Sequence, residues 1–210
     1  MKRLLIICVL LAFALQASAA LTTNNFSSGF ANSGYVPDNN LSGWSDTRTL
    51  SGYTGLTVAD VQVTLNISGG WNGDLYGYLV HDTGFVVLLN RVGSGNVGAF
   101  GYGDAGMDVT LGSTGANGSI QEYGGNITFD DTPEGNYSAS TPTAWSTFEN
   151  TSVNGDWTLF LADMSSGDIS QVTSWGLTIN AVPEPTTWAM MFFGAAFGCW
   201  RFAQWRTKRA

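Results

Sequence analysis

The chain has 210 residues, 44% of them hydrophobic and only 11% charged, and its 8 basic and 16 acidic side chains leave a formal charge of −8. Six of the basic residues lie near the two ends, so residues 21–181 hold Arg48 and Arg91 against fifteen acids, a formal −13, with no lysine. Such a segment repels phosphate backbones, which argues against nucleic acid as a partner, and it lacks the lysine that P-loop and Schiff-base chemistry require.

Read from the N-terminus, Lys2 and Arg3 precede an apolar run from Leu4 to Leu15, and Ala17-Ser18-Ala19-Ala20 follows with small side chains. This is the pattern of a secretory signal peptide over residues 1–20, cleaved after Ala19 or Ala20, and it predicts an exported protein. Cys8 and Cys199 both fall outside residues 21–181, so that segment is expected to fold by apolar burial without a disulfide. Residues 21–34 are polar and read as a flexible lead-in.

From Tyr35 to residue 181 the signals are all β. Leu56 to Ile67 alternates through Val61, Val63, Leu65 and Ile67, a period of two. Asn72-Gly73-Asp74 turns into a strand from Leu75 to Val80, and His81-Asp82-Thr83-Gly84 turns into another from Phe85 to Val92. Met107 to Leu111 reads as a strand. Asn154-Gly155-Asp156 repeats the first turn ahead of Trp157 to Ala162, and Asp163 to Asp168 leads into Ile169 to Ile179. Both Asn-Gly-Asp turns predict a positive φ, at Gly73 and at Gly155. Short strands with no helices between them predict an all-β, antiparallel sandwich or barrel.

Residues 182–210 differ in kind. Val182-Pro183-Glu184-Pro185 is followed by an apolar run from Ala189 to Trp200 and then by Arg201, Arg206, Lys208 and Arg209. As a helix, Thr186 to Phe202 reaches about 25 Å, the lower limit for a transmembrane helix. Trp188, Phe192, Phe193 and Trp200 would anchor it, with Arg201 snorkelling to the interface. This arrangement resembles the PEP-CTERM sorting signal of Gram-negative bacteria. The resemblance implies that a membrane-embedded exosortase recognises the motif and processes the chain on its way to the cell surface or extracellular matrix.

A second resemblance spans residues 35–181. Val61 to Ile67, Gly73-Asp74-Leu75, Leu79, Gly84, Phe129-Asp130-Asp131, Asn154 to Leu159, Asp163, Gly167-Asp168 and Ser174 to Ile179 look like a P/Homo B domain. That module accompanies the catalytic domain of proprotein convertases and many bacterial subtilisin-like proteases, and the resemblance implies an antiparallel jelly-roll β-sandwich. The departures are a Gly-rich insertion from Gly93 to Gly106 and the absence of a protease domain.

Catalytic chemistry is sparsely represented. A nucleophilic triad needs a base that titrates near neutrality, and the only histidine, His81, reads as a turn or sheet-edge residue without a Gly-x-Ser-x-Gly elbow. Gly93 to Gly98 and Gly101 to Gly106 match Gly-x-Gly-x-x-Gly, but a strand rather than a helix follows, so they read as surface loops. Asp74, Asp82, Asp130, Asp131, Asp163 and Asp168 lie at strand ends and are either turn formers or candidate ligands for Ca²⁺. Trp157 and Trp175 are expected in the core, whereas Trp71, beside Gly69-Gly70, is a candidate to stack on a sugar ring. The sequence therefore predicts a non-enzymatic, surface-sorted module binding exopolysaccharide or surface proteins. The alternatives are an accessory domain of a subtilisin-like protease system and a carbohydrate-binding lectin module.

Overall fold

The computed structural model describes residues 19–95, 98–122 and 134–207. The expected signal peptide lies outside the described residues up to residue 18, and so do Asp130 and Asp131. Nine strands and one long helix are found among the described residues: β1 Ala20–Phe26, β2 Asn40–Leu50, β3 Leu56–Gly69, β4 Leu75–His81, β5 Gly84–Asn90, β6 Met107–Gly112, β7 Glu134–Ser138, β8 Gly155–Asp163, β9 Ser170–Pro183 and α1 Pro185–Thr207. They form a mainly β, two-sheet sandwich, with sheet orders β1-β9-β3-β6-β7 and β2-β8-β4-β5.

The period-two pattern is what closes the sandwich. Val61, Val63, Leu65 and Ile67 of β3 all point inward, as do Leu75 and Leu79 of β4 and Trp157, Leu159 and Leu161 of β8. β9 keeps its apolar side inward only because of a bulge. The register steps from Ile67↔Val172 to Asn66↔Ser174, leaving Thr173 extra, so Val172 and Trp175 face the core although they are three residues apart. Thr173 is held there by its hydroxyl on Asn66.

Four expectations are corrected. The lead-in of residues 21–34 is not flexible. Leu21 to Phe26 pair with Asn180 to Trp175 as an edge strand, and Ala31–Gly34 forms a 3-10 turn, because the free edge of β9 supplies the backbone partners that the side chains do not advertise. The sandwich is not wholly antiparallel, since β6 and β7 pair in parallel from Asp108↔Glu134 to Gly112↔Ser138. The boundary at 181/182 is also crossed, because β9 continues through Val182 and Pro183 opposite Thr57 and Leu56.

The fourth concerns the C-terminus. A helix does form over Pro185–Thr207, but no helix among the described residues is long and apolar enough to cross a membrane. Its uninterrupted apolar stretch, Ala189 to Trp200, covers about 18 Å at the α-helical rise, well short of the roughly 30 Å hydrocarbon core. Arg201, Gln204 and Arg206 fall in the same helix. Phe193, Phe197 and Trp200 are exposed on it.

β2 carries the ionic centre of the fold. Asp46 is buried and accepts hydrogen bonds from Arg48 Nε at 2.6 Å and from the Trp175 indole N–H at 2.7 Å. The Arg48 guanidinium also donates to the Ser28 carbonyl at 2.7 Å and lies over the Phe26 and Phe30 rings, at 5.0 and 5.4 Å from their centroids. One carboxylate thus joins β2, β9 and the segment after β1. Replacing Asp46 with Ala leaves an indole N–H and a partly buried cation unpaired, and we expect a loss of about 2–3 kcal/mol in urea unfolding. An Asp46→Ala protein as stable as the parent would show that the centre contributes nothing.

Candidate functional site

The loops between strands gather at the β4 start and the β8 end into a cleft of about 510 Å³. It is lined by Trp71, Asp74 and Phe100, by Asn39, and by the Ser165–Asp168 loop. Trp71 and Phe100 are 44% and 68% exposed, large apolar rings left open on a sheet end. Their backbones are nevertheless fixed. Asn72 N–H donates to the Asp104 carbonyl at 3.0 Å and Gly73 N–H to the Tyr102 carbonyl at 2.7 Å, stitching the Trp71 loop to the Phe100 loop. Arg91 Nε donates to the Gly73 carbonyl at 3.1 Å.

Gly73 is needed there for space, which corrects the expectation for its backbone. Its φ is not positive, unlike that of Gly155 at 128°. A Cβ at residue 73 would stand 2.2 Å from the Phe100 carbonyl oxygen, so the glycine admits the second loop rather than a left-handed turn. The two Gly-x-Gly-x-x-Gly stretches belong to this loop system and run into β6, with no helix N-terminus to cradle a phosphate.

The acidic residues sort by position. Asp74 and Asp163 are buried next to each other, at the paired ends of β4 and β8, where Leu75 faces Asp163. Asp168 is exposed on the cleft loop. Asp82 is not part of this group: it sits in the exposed β4–β5 turn, at φ 52°, about 25 Å along β4 from Asp74. Asp38, which the sequence reading did not single out, ties the loop down by accepting the Gly167 N–H at 3.1 Å.

Asp163, only 1% exposed, accepts the Ser165 N–H at 3.1 Å on Oδ1, while its Oδ2 has no hydrogen-bond partner among the described residues. Burial holds its carboxyl above the ordinary aspartate range; the Ser165 N–H opposes this, and the charges of Asp74 and Asp38 add to it. Of the six candidate Ca²⁺ ligands, Asp74 and Asp163 are brought together with Asp168 on the adjoining loop, while Asp130 and Asp131 lie outside the described residues. Among the described residues no group of three or more His, Cys, Asp or Glu is placed to hold a metal ion.

His81 is neither a turn nor an edge residue. It ends β4, an interior strand, 2% exposed, with its ring stacked on Trp157 at 3.8 Å and 2°. Its Nδ1 lies 2.9 Å from the Asp156 carbonyl oxygen and its Nε2 2.6 Å from that of Ser152. Both nitrogens face backbone carbonyls, and the ring is buried. Trp157 and Trp175 are fully buried, as expected, while Phe100, Asn39 and Ser165 enter the site from loops with no periodic signal.

No protein-family model and no curated protein sequence matches the chain. Two solved structures of a serine protease from Aeromonas sobria, the first in complex with a chaperone, align with 84% and 81% of this chain. Identity is 16% in both, with TM-scores of 0.47 and 0.43. The chain spans 29% of the length of each of those chains, so the likeness is to a portion of the protease.

The raised carboxyl of Asp163 sets a pH dependence. Its protonated form contributes stability that is fully present below the unfolded aspartate range, about pH 4, and is lost as pH rises through the folded-state value. Asp163→Asn keeps an oxygen for the Ser165 N–H and removes the charge. We expect the variant to melt higher than the parent at neutral pH, with the gap closing below the ordinary aspartate range. An equal gap at both pH values would refute the raised carboxyl.

Proposed function

We propose that this chain is an exported binding module sorted to the cell envelope, with exopolysaccharide or a neighbouring surface protein as its ligand, and not an enzyme. The observation that carries the reading is the cleft, where two exposed aromatic rings are held by interlocked loops beside carboxylates, an amide and hydroxyls. The engagement of both His81 nitrogens by backbone carbonyls supports the non-catalytic part, since a general base needs a nitrogen within reach of a substrate proton. The finer reading of the sandwich as a P/Homo B-like jelly roll rests on the residue pattern from Val61 to Ile179, and the same pattern supports a second role as an accessory domain in a subtilisin-like protease system.

Sorting is assigned to residues 182–210, read as a PEP-CTERM signal processed by an exosortase. Its motif forms the joint between sheet and helix: Val182 and Pro183 end β9, the Glu184 N–H donates to the Gly55 carbonyl at 3.0 Å, and Pro185 opens α1. Exposed Phe193, Phe197 and Trp200 offer apolar surface for envelope association, and Arg201 a positive charge for anionic headgroups.

Two measurements test the reading. In cell fractionation, the chain truncated after Glu184, which keeps β9 whole, should be released into the medium. The Pro183, Glu184 and Pro185→Ala variant should instead stay unprocessed with the membranes, and processing at the normal rate would end the sorting assignment. Separately, the purified protein should co-sediment with exopolysaccharide from the producing cells, and Trp71→Ala should lose most of that retention. Equal retention of parent and variant would remove the cleft from the function.

A further inference from the structure

We infer that the cleft selects glycans carrying free amines, with Trp71 as the stacking platform for a sugar ring and Asp74 and Asp168 as partners for its ammonium groups. The inference rests on the binding-module reading and names the ligand class for the same site.

The platform is built from both sides of the chain. A Cβ at Gly103 would stand 3.7 Å from the six-membered part of the Trp71 indole, an ordinary van der Waals distance, so the Gly103 loop runs alongside the ring. The ring remains 44% exposed and lines the cleft, and Phe100 adds a second exposed ring from the adjoining loop. A flat, rigid aromatic surface suits the C–H face of a pyranose, which presents apolar hydrogens on one side and hydroxyls around its rim. Asn39 and Ser165 supply an amide and a hydroxyl for that rim. The loop bearing Ser165 is held at both ends, by Ser165 N–H on Asp163 and by Gly167 N–H on Asp38, so little ordering entropy remains to oppose binding.

Charge decides which sugar. The lining holds two carboxylates and no cationic side chain. Asp163, buried beside Asp74, keeps one carboxylate oxygen without a partner among the described residues, and burial with the charges of Asp74 and Asp38 makes its ionisation costly. An ammonium group entering beside Asp74 relieves that repulsion, whereas a uronic acid or a sulfated sugar adds to it. Neither arginine of the sandwich lines the cleft: Arg48 pairs with Asp46, and Arg91 donates through Nε to the Gly73 carbonyl. The same charge would attract a lysine-rich peptide, whose ammonium can also sit over Trp71, but such a peptide has no flat C–H face to cover the ring as a pyranose does.

The experiment is titration calorimetry of the full chain in detergent against four probes of equal length. These are a glucosamine tetramer, an N-acetylglucosamine tetramer, a neutral glucose tetramer and tetralysine. The glucosamine tetramer should bind about tenfold tighter than either uncharged sugar, and tetralysine should bind weakly. Asp168→Asn should reduce that preference, and an undiminished preference in this variant would overturn the ammonium contact. Trp71→Ala, and independently the loop variant Phe100→Ser, should weaken all three sugars. Equal affinity for the three sugars would overturn the amine selectivity while leaving a glycan module in place. Tetralysine binding as well as the glucosamine tetramer would make the site a cationic-peptide groove and overturn the sugar assignment. Full sugar affinity in both aromatic variants would place binding elsewhere and overturn the site.

Discussion

The ladder between β3 and β9 holds this structure together. Each strand is fourteen residues long, and they pair from Leu56↔Pro183 to Gly69↔Ser170. β1 attaches to the other edge of β9, and β6 to the other edge of β3, so four of the five strands in this sheet depend on that one pairing. Bulges near Ala59 and Thr173 let two such long strands twist without turning their apolar sides outward. The N-terminal segment, the Gly-rich loops and the Pro-Glu-Pro joint all take their positions from it.

With no disulfide between its strands, the sandwich relies on directional polar contacts at a few buried points. Asp46 links Trp175 to Arg48, and His81 fills the space between Trp157 and the Ser152 and Asp156 carbonyls. Each satisfies buried donors or acceptors that would otherwise be costly. Both of the segment's arginines are absorbed in this way, leaving the rest of the acidic surface without basic partners of its own. That imbalance is tolerable where carboxylates are solvated, as at Asp82, and tense where they are buried together, as at Asp74 and Asp163. The tension lies next to the exposed rings, which is why the cleft stands apart from the rest of the surface as a place for a ligand.

Legibility followed the side chains. β3, β4, β5, β6 and β8 were readable because apolar residues fill their inward positions at a spacing of two, and β9 because its apolar residues persist across the bulge at Thr173. β2 was not, since Asp46 and Arg48 occupy alternate positions where apolar residues were sought, and only their mutual pairing lets them turn in. β1 and β7 were hidden for a different reason: Leu21-Thr-Thr-Asn-Asn and Glu134-Gly-Asn-Tyr-Ser have little apolar character, and their strand state comes from the edges they complete. Of the cleft, Trp71, Asp74, Asp163 and Asp168 could be named from turn and strand-end positions, whereas Phe100, Asn39 and Asp38 could not.

The sequence by itself determined the β class, the inward face of β3, the burial of Trp157 and Trp175, the acidic character of residues 21–181 and the helical C-terminal segment, because these depend on local periodicity and composition. Tertiary structure alone decided that Asp74 and Asp163 lie side by side, that His81 is buried, and that Gly73 serves a loop crossing. Each of these depends on which backbone lies across from a residue, and that is not a property of the residue's neighbours in sequence.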